Sequence, residues 1–225
     1  MNRSMKKILV ALLFAAVPLT GLAQAKPGEL DAVIRQMDAA SPKFHSAEAD
    51  FQWDFYERVV KQTTTQHGGI YFKKNGASLE MGAKINPPGA RFFSFKGGNL
   101  TVFDPGTKDL KVLASGKNRA QYESFMTLGF GGSGSELVKA WTVTYVGTEP
   151  LSDGSTTIPT AKLDLVSKDP DVRNMFSHIT IWVDTGRGIS LKQQFFTPSD
   201  DYRTTIYSNI RYNQPVNTKP YEIKK

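Results

Sequence analysis

Apolar and polar residues alternate along much of the chain, most clearly between positions 161 and 213. In the stretch 179–184 (ITIWVD), Ile179, Ile181 and Val183 share one face of an extended segment. Successive side chains of a strand point to opposite faces, so this period of two predicts β-strands. Turn sequences at 184–188 (DTGRG) and 198–201 (PSDD) separate the strands. The segment is therefore predicted to be a meander of antiparallel strands.

The same alternation upstream brings the predicted total to about ten or eleven strands. The first long strand is predicted over 46–60, and the polar, threonine-rich stretch 62–69 is predicted as the loose tip of a hairpin. Apolar residues at helical spacing predict two short helices, at 27–40 and 119–128. The glycine-rich stretch 129–134 (GFGGSG) is interpreted as a hinge after the second helix, with a plain flexible loop as the alternative.

So many antiparallel strands predict one large sheet, and the right-handed twist of strands makes such a sheet curl. The predicted fold class is mainly β: a single, strongly curved antiparallel sheet, an incomplete or half β-barrel, with helices covering the concave face. No domain boundary or internal repeat interrupts the pattern. We therefore expect a single domain over 26–225.

Residues 1–25 are predicted to be a cleavable signal peptide rather than part of the fold. Arg3, Lys6 and Lys7 precede a short apolar core, and Ala23-Gln24-Ala25 matches a small-residue cleavage site. The expected location is the periplasm. These three bases supply part of the formal charge of +7, and the remaining bases form no basic run, so nucleic acid is not an expected partner.

The residue types that carry catalysis or bind metals are sparse and scattered. The chain has no cysteine, and His45, His67 and His178 do not lie at metal-ligand spacing. Asp184-Thr185-Gly186 matches the loop of aspartic proteases, but no second such loop exists and the flanking alternation predicts a hairpin turn. We therefore predict no enzymatic activity, no metal and no cofactor. An enzyme would need a polar cluster assembled from distant Asp, His and Ser residues.

Aromatic residues make up 11% of the chain, and many fall on one face of consecutive strands. A packed core accounts for most of them, whereas a cavity for an aliphatic ligand would also use rigid, bulky walls beside a hinge. The predicted walls are Trp53, Phe55, Phe72, Met81, Phe93, Phe103, Trp141 and Ile181. The predicted lid over them is formed by Phe125, Met126 and Leu128.

Several segments, in order, resemble the outer-membrane lipoprotein carrier (LolA-like) family. They are the helix at 30–37, the strand beginning at Ser46, the GIYFK segment at 69–73, the GNLTVFDP segment at 98–105 and the final strands at 179–184 and 204–210. Together they cover most of 26–225. The stretch that corresponds to the family's arginine-bearing strand, residues 77–81 (ASLEM), lacks that arginine.

The resemblance implies an incomplete barrel closed by a helical lid and a carrier that takes acyl chains of lipids or lipoproteins through the periplasm. An inner-membrane donor and an outer-membrane acceptor protein would be its partners. A different function of the same fold is a non-carrying envelope module that senses stress or docks a partner through an exposed strand edge.

Overall fold

Eleven β-strands form the framework of the protein in a computed structural model that describes residues 28–76, 78–114 and 128–224. The strands are β1 (Ser46–Glu57), β2 (Gln62–Asn75), β3 (Ser78–Ile85), β4 (Arg91–Lys96), β5 (Asn99–Asp104), β6 (Asp109–Ala114), β7 (Trp141–Ser152), β8 (Thr157–Ser167), β9 (His178–Asp184), β10 (Ile189–Phe196) and β11 (Tyr202–Tyr212). The α-helices of the described residues are α1 (Glu29–Ala40), α2 (Gly134–Ala140) and α3 (Pro170–Met175), and two 3-10 turns span Ser41–Lys43 and Lys219–Tyr221.

All eleven strands belong to one antiparallel sheet with the order β6-β5-β4-β3-β2-β1-β11-β10-β9-β8-β7. Two meanders, β1 to β6 and β7 to β11, are joined where the first strand pairs with the last. No strand ladder within the described ranges joins β6 to β7, so the sheet is open. The predicted fold class, a mainly β half-barrel with helices on its concave face, is confirmed.

The sheet curls so strongly that its edge hairpin reaches back toward its middle. The backbone N–H of Asn209 on β11 donates to the carbonyl of Asp153, in the turn between β7 and β8, at 2.9 Å. Register shifts near Ser190 on β10 and at Gly147 on β7 accompany this curvature. Such irregularities bend a strand and increase its twist. In a flat sheet, β8, β9 and β10 would separate β7 from β11, and this hydrogen bond could not form.

Helix α1 covers the part of the concave face formed by β7 to β10. Val33 and Met37 are buried against the strands, together with Leu137 of α2. Asp38 accepts hydrogen bonds from the Ser135 backbone N–H at 2.8 Å and from the Ser135 hydroxyl at 2.6 Å. The hydroxyl and N–H of Ser135 lower the pKa of Asp38. The two helices are therefore joined to each other as well as to the sheet.

Two local predictions differ from the structure. The threonine-rich stretch is not a loose tip, because β2 begins at Gln62 and pairs with β1 from Gln62 to Lys73, as in Phe55 opposite Thr64. Threonine is β-branched and fits an extended strand, and the turn occupies only residues 58–61. Helix α3 was not predicted; it begins after Asp169, whose side chain accepts from the Asp171 backbone N–H.

Candidate functional site

A cavity of about 240 Å³, the inner cavity, lies on the concave face between the two meanders. Its walls come from β1 to β5, from β10 and β11, and from the segment that precedes α2. Most of the side chains are apolar, and the full set is Phe51, Trp53, Ile70, Phe72, Met81, Ala83, Phe93, Leu100, Leu128, Gln193, Phe195, Arg203, Thr205 and Tyr207. The composition suits an aliphatic or aromatic guest.

A second cavity of about 430 Å³, the outer cavity, adjoins the first and is more polar. Trp53, Phe93 and Arg203 line both cavities, so these three side chains form their common boundary. The other walls of the outer cavity are Phe55, Thr64, Gln66, Ile85 and Arg91. A guest that occupied both cavities would therefore meet an apolar surface inside and a mixed, positively charged surface outside.

Strand register places the wall residues on one face. Phe72 stands opposite Met81, and Ala83 stands opposite Phe93, so β2, β3 and β4 present a continuous apolar surface. Directly paired residues of an antiparallel sheet point to the same side. The same rule brings Trp53 of β1 beside Thr205 of β11. The cavity wall thus depends on pairing between strands that are about 150 residues apart in sequence.

Arg203 is the cation of the inner cavity. Its guanidinium carbon lies 4.3 Å from the ring centroid of Trp53 and 5.2 Å from that of Phe195. The side chain as a whole is half-buried, but its Nε is enclosed and has no hydrogen-bond partner. Burial lowers the pKa of Arg203 from its usual value. Stacking on two aromatic faces compensates part of the cost of enclosing the charge.

Two other polar residues of the wall, Gln193 and Tyr207, already have hydrogen-bond partners. The Gln193 side-chain N–H donates to the Leu128 carbonyl at 2.5 Å, and the Tyr207 hydroxyl donates to the Gln193 side-chain oxygen at 3.1 Å. Burial raises the pKa of Tyr207, so its hydroxyl stays protonated. This chain of hydrogen bonds fixes the position of Leu128 over the cavity.

The structure brings five predicted wall residues to the two cavities. Trp53, Phe72, Met81 and Phe93 line the inner cavity, and Phe55 lies in the outer cavity with 38% of its surface exposed. Whether these side chains contact a ligand remains a prediction. Their common location follows from the period-two pattern, which assigned them correctly to the concave face.

Three predicted wall residues lie elsewhere. Phe92 adjoins Phe93 on β4, so its side chain points to the opposite, convex face. Phe103 stands directly opposite Phe92 and points to the same convex face. Trp141 and Ile181 are on the concave face but are buried in the core beneath α1 and α2, at 4% and 0% exposure. These three residues therefore do not line the inner or the outer cavity: Phe103 faces away from both, and α1 and α2 fill the space above Trp141 and Ile181.

Of the predicted lid residues, Phe125 and Met126 lie outside the described residues. Leu128 is buried and lines the inner cavity. The expected hinge after it is packed against the sheet: the Ser190 backbone N–H donates to the Gly129 carbonyl at 2.6 Å, and the ring of Phe130 stacks on Phe72 at 3.9 Å between centroids. Gly131 has a φ of 71° and lies against the ring of Phe44, so glycine is required there.

Nine of the fourteen residues that line the inner cavity were not among the predicted wall and lid residues. Phe51 and Ile70 continue the alternation of Trp53 and Phe72 and were within its reach. Arg203 gave no comparable signal, because an arginine beside the turn at 198–201 is usually solvated. Only the pairing of β11 with both β1 and β10 brings it between two aromatic rings.

The other sequence motifs do not form a site in the described residues. Asp184 ends β9, and its carboxylate accepts from the backbone N–H groups of Gly186 and Arg187, as expected for a hairpin turn. Within the same ranges, no three His, Cys, Asp or Glu side chains come together in a way that could hold a metal ion. No described helix has the length and apolar character needed to cross a membrane.

Comparison with known proteins gives matches in structure. No protein-family model and no curated protein matches the sequence. Similar solved structures include the Pseudomonas aeruginosa MucA/MucB complex (TM-score 0.52, 12% identity, 87% of this chain, 61% of the matched chain) and an uncharacterized conserved protein from Thermus thermophilus (0.52, 8%, 87% and 94%). A LolA superfamily protein from Nitrosomonas europaea also matches (0.42, 12%, 86% and 97%). The chain spans less than two thirds of its counterpart in the MucA/MucB complex.

The chain shares its fold with the matched chain of the MucA/MucB complex and with the Thermus thermophilus protein. Identities of 8 to 12% concern the fold alone. The protein is thus a mainly β half-barrel that carries an apolar cavity on its concave face.

Proposed function

We propose that the protein is a periplasmic carrier that binds acyl chains of lipids or lipoproteins in the inner cavity and transfers them between envelope membranes. The observation that carries the proposal is the apolar cavity itself. Its volume of about 240 Å³ persists on a sheet face whose other half is solidly packed. A core that served stability alone would have filled it, because empty volume reduces stability.

The energetics of acyl chains are consistent with this size. Burial of one methylene is worth roughly 0.8 kcal/mol, so a segment of about eight methylenes gains about 6 kcal/mol before the costs of binding. That gain favours capture from water and still allows release. A carrier needs this intermediate affinity, since a site that held a whole long chain perfectly would release it slowly.

Saturable binding of a fluorescent fatty-acid probe to delipidated protein is the direct test. We expect Phe93→Glu to weaken probe binding at least tenfold, because it places a charge in the inner cavity. Phe92→Glu is the matched control, since Phe92 neighbours Phe93 on β4 but faces away from the cavity, and it should keep affinity within about twofold. No saturable binding by the unaltered protein would contradict the carrier function.

A second candidate is a non-carrying module that docks a protein partner. A solved structure with this fold, the MucA/MucB complex, is an assembly of two proteins. Within the described residues, β6 and β7 also end the sheet without a neighbouring strand, and such edges accept an added strand. Native mass spectrometry of protein purified from its own envelope separates the candidates: added lipid mass supports the carrier, and a stoichiometric protein companion without lipid supports the docking module.

A further inference from the structure

Arg203 is a half-buried cation with an enclosed Nε, and the described residues supply no anion for it. No carboxylate of the described residues pairs with it, and its Nε makes no hydrogen bond. Other described arginines form ion pairs on the surface or in turns. Arg211, for example, pairs with Glu48 at 3.1 Å. Enclosing a guanidinium without a counter-charge costs free energy, so its presence calls for a specific reason.

The position of Arg203 supplies that reason. The side chain stands at the boundary of the inner and outer cavities, together with Trp53 and Phe93. The aromatic contacts hold the plane of the guanidinium while leaving donors unpaired. A planar guanidinium with free donors matches a carboxylate or phosphate in geometry and charge.

The inner cavity also limits how much apolar material can lie behind that charge. An engineered cavity of about 150 Å³ in another protein accommodates one benzene molecule. The inner cavity, at about 240 Å³, is less than twice that size and fits part of a single aliphatic chain. Several acyl chains side by side would exceed it.

We propose that the ligand is a single-chain amphiphile with one anionic head, a fatty-acid-like molecule whose tail fills the inner cavity and whose oxyanion pairs with Arg203. This inference rests on the proposed carrier function and specifies its cargo. The head would face the outer cavity, where Arg91 adds a second positive charge beside its partner Asp104 at 3.6 Å. A neutral lipid would leave the guanidinium enclosed and unpaired.

The test compares two probes that differ only in the head: 11-(dansylamino)undecanoic acid and its methyl ester. In the unaltered protein we expect the acid to bind at least tenfold more tightly. Arg203→Gln should lower the affinity for the acid by roughly 10- to 100-fold, the factor expected for a lost charge-assisted hydrogen bond. The affinity for the ester should change less than threefold. Arg211→Gln is the matched control, because Arg211 lies on the same strand but pairs with Glu48.

The outcomes separate this inference from the carrier function. If acid and ester bind equally and Arg203→Gln changes neither, the carrier function stands and the anionic head is refuted. If neither probe binds, the carrier function itself fails. Loss of a folded thermal transition in Arg203→Gln would shift the comparison to Arg203→Lys, which keeps the charge but not the planar fork and should retain part of the preference for the acid.

Competition identifies the head and the number of chains. Laurate and dodecyl phosphate should each displace the acid probe, and the tighter of the two identifies the oxyanion. Displacement by inorganic phosphate alone would indicate a free-anion site and overturn the proposal, as would a triacylated lipopeptide that binds more tightly than laurate. In laurate labelled with ¹³C at the carboxyl carbon, pairing with Arg203 should lower the carboxyl pKa relative to the Arg203→Gln complex.

Discussion

The two halves of the concave face show the same alternation of apolar and polar residues, but one half is solidly packed and the other borders a cavity. The helix-covered half, formed by β7 to β10 beneath α1 and α2, is a solid core in which Leu163, Leu165 and Ile181 are fully buried. The cavity half, formed by β1 to β5 and β11 with Gln193 and Phe195 of β10 at its border, keeps Trp53 and Phe93 half-buried around open space.

The two halves differ in what packs against their concave surface. Helix α1 contributes Val33 and Met37, which fill the surface above β8 and β9. None of the residues lining the inner cavity comes from α1 or α2. An apolar strand face therefore specifies only that something apolar must cover it. A helix fulfils that requirement in one half, and in the other half we infer that a ligand does.

The largest expected contrast comes from removing the same side chain in each half. Ile181→Ala should reduce the free energy of unfolding by about 3 kcal/mol, because it deletes methylenes from a filled core and leaves a new void. Ile70→Ala borders the inner cavity, where part of its surface is already uncovered, and should cost about 1 kcal/mol. Denaturant unfolding of delipidated protein measures both.

Equal costs for Ile181→Ala and Ile70→Ala would contradict the comparison, because they would indicate that both halves are equally packed. The slope of the unfolding free energy with denaturant concentration must stay unchanged for the two values to be comparable.

The reverse substitution tests the same contrast with two alanines of equal burial. Ala161 on β8 and Ala83 on β3 are each 6% exposed on the concave face. Ala161→Leu should cost about 2 kcal/mol, because the core beneath α1 has no room for added methylenes. Ala83→Leu projects into the inner cavity and should change stability by less than about 1 kcal/mol while abolishing fatty-acid probe binding. A large loss of stability in Ala83→Leu would show that the cavity cannot be filled from β3.

The sequence allowed the strands and their faces to be predicted, because burial on one side of a sheet imposes a period of two. Trp53, Phe72, Met81 and Phe93 were placed on the correct face for this reason. The pattern does not say what packs on that face. Trp141 and Ile181 obey the same alternation as the cavity residues, yet α1 and α2 enclose them.

Arg203 shows a second limit, which is long-range register. Its neighbours Trp53 and Phe195 belong to β1 and β10, and the pairing of β11 with β1 joins residues about 150 positions apart. Nothing in the sequence around position 203 records that pairing. Charged residues near turns are mostly solvated, so the pattern indicated a surface arginine.

The glycine-rich stretch before α2 offers a test on the helix-covered half. A Cβ on Gly134 would lie 2.5 Å from the carbonyl oxygen of Ile34 in α1, whereas a Cβ on Gly132 would meet nothing within 4 Å. Gly134→Ala should therefore separate α2 from α1 and cost about 2 kcal/mol. Gly132→Ala should be neutral or slightly stabilising, because it restricts the unfolded chain.

The effect of Gly134→Ala on the cavity half should be small. We expect the affinity for the fatty-acid probe to stay within about twofold, because the helices do not line the inner cavity. A loss of probe binding that exceeds the loss of stability would show that the position of α2 controls access to the cavity, and the two halves would then be coupled.

The smallest expected effect concerns Asp153, in the turn between β7 and β8, which contacts β11 of the cavity half. Its carbonyl accepts from Asn209 on β11, and its carboxylate accepts from Arg187 at 2.9 Å. Hydrogen bonds from the backbone N–H of Thr156, from Ser155 and from Arg187 outweigh burial and lower the pKa of Asp153. A carboxyl whose pKa is lower in the folded state stabilises the fold above its unfolded pKa of about 4, and this contribution is lost as the pH falls toward the folded value.

Asp153→Asn should therefore be about 1 kcal/mol less stable than the unaltered protein at pH 7, with the difference shrinking below pH 4. Thermal unfolding across pH 3 to 7 measures this difference. Asp109→Asn is the control, since the exposed pair of Asp109 with Lys111 should contribute less than about 0.5 kcal/mol throughout. A deficit of Asp153→Asn that stayed constant down to pH 3 would mean that the shape of the turn, rather than the charge of Asp153, connects the edge hairpin to β11.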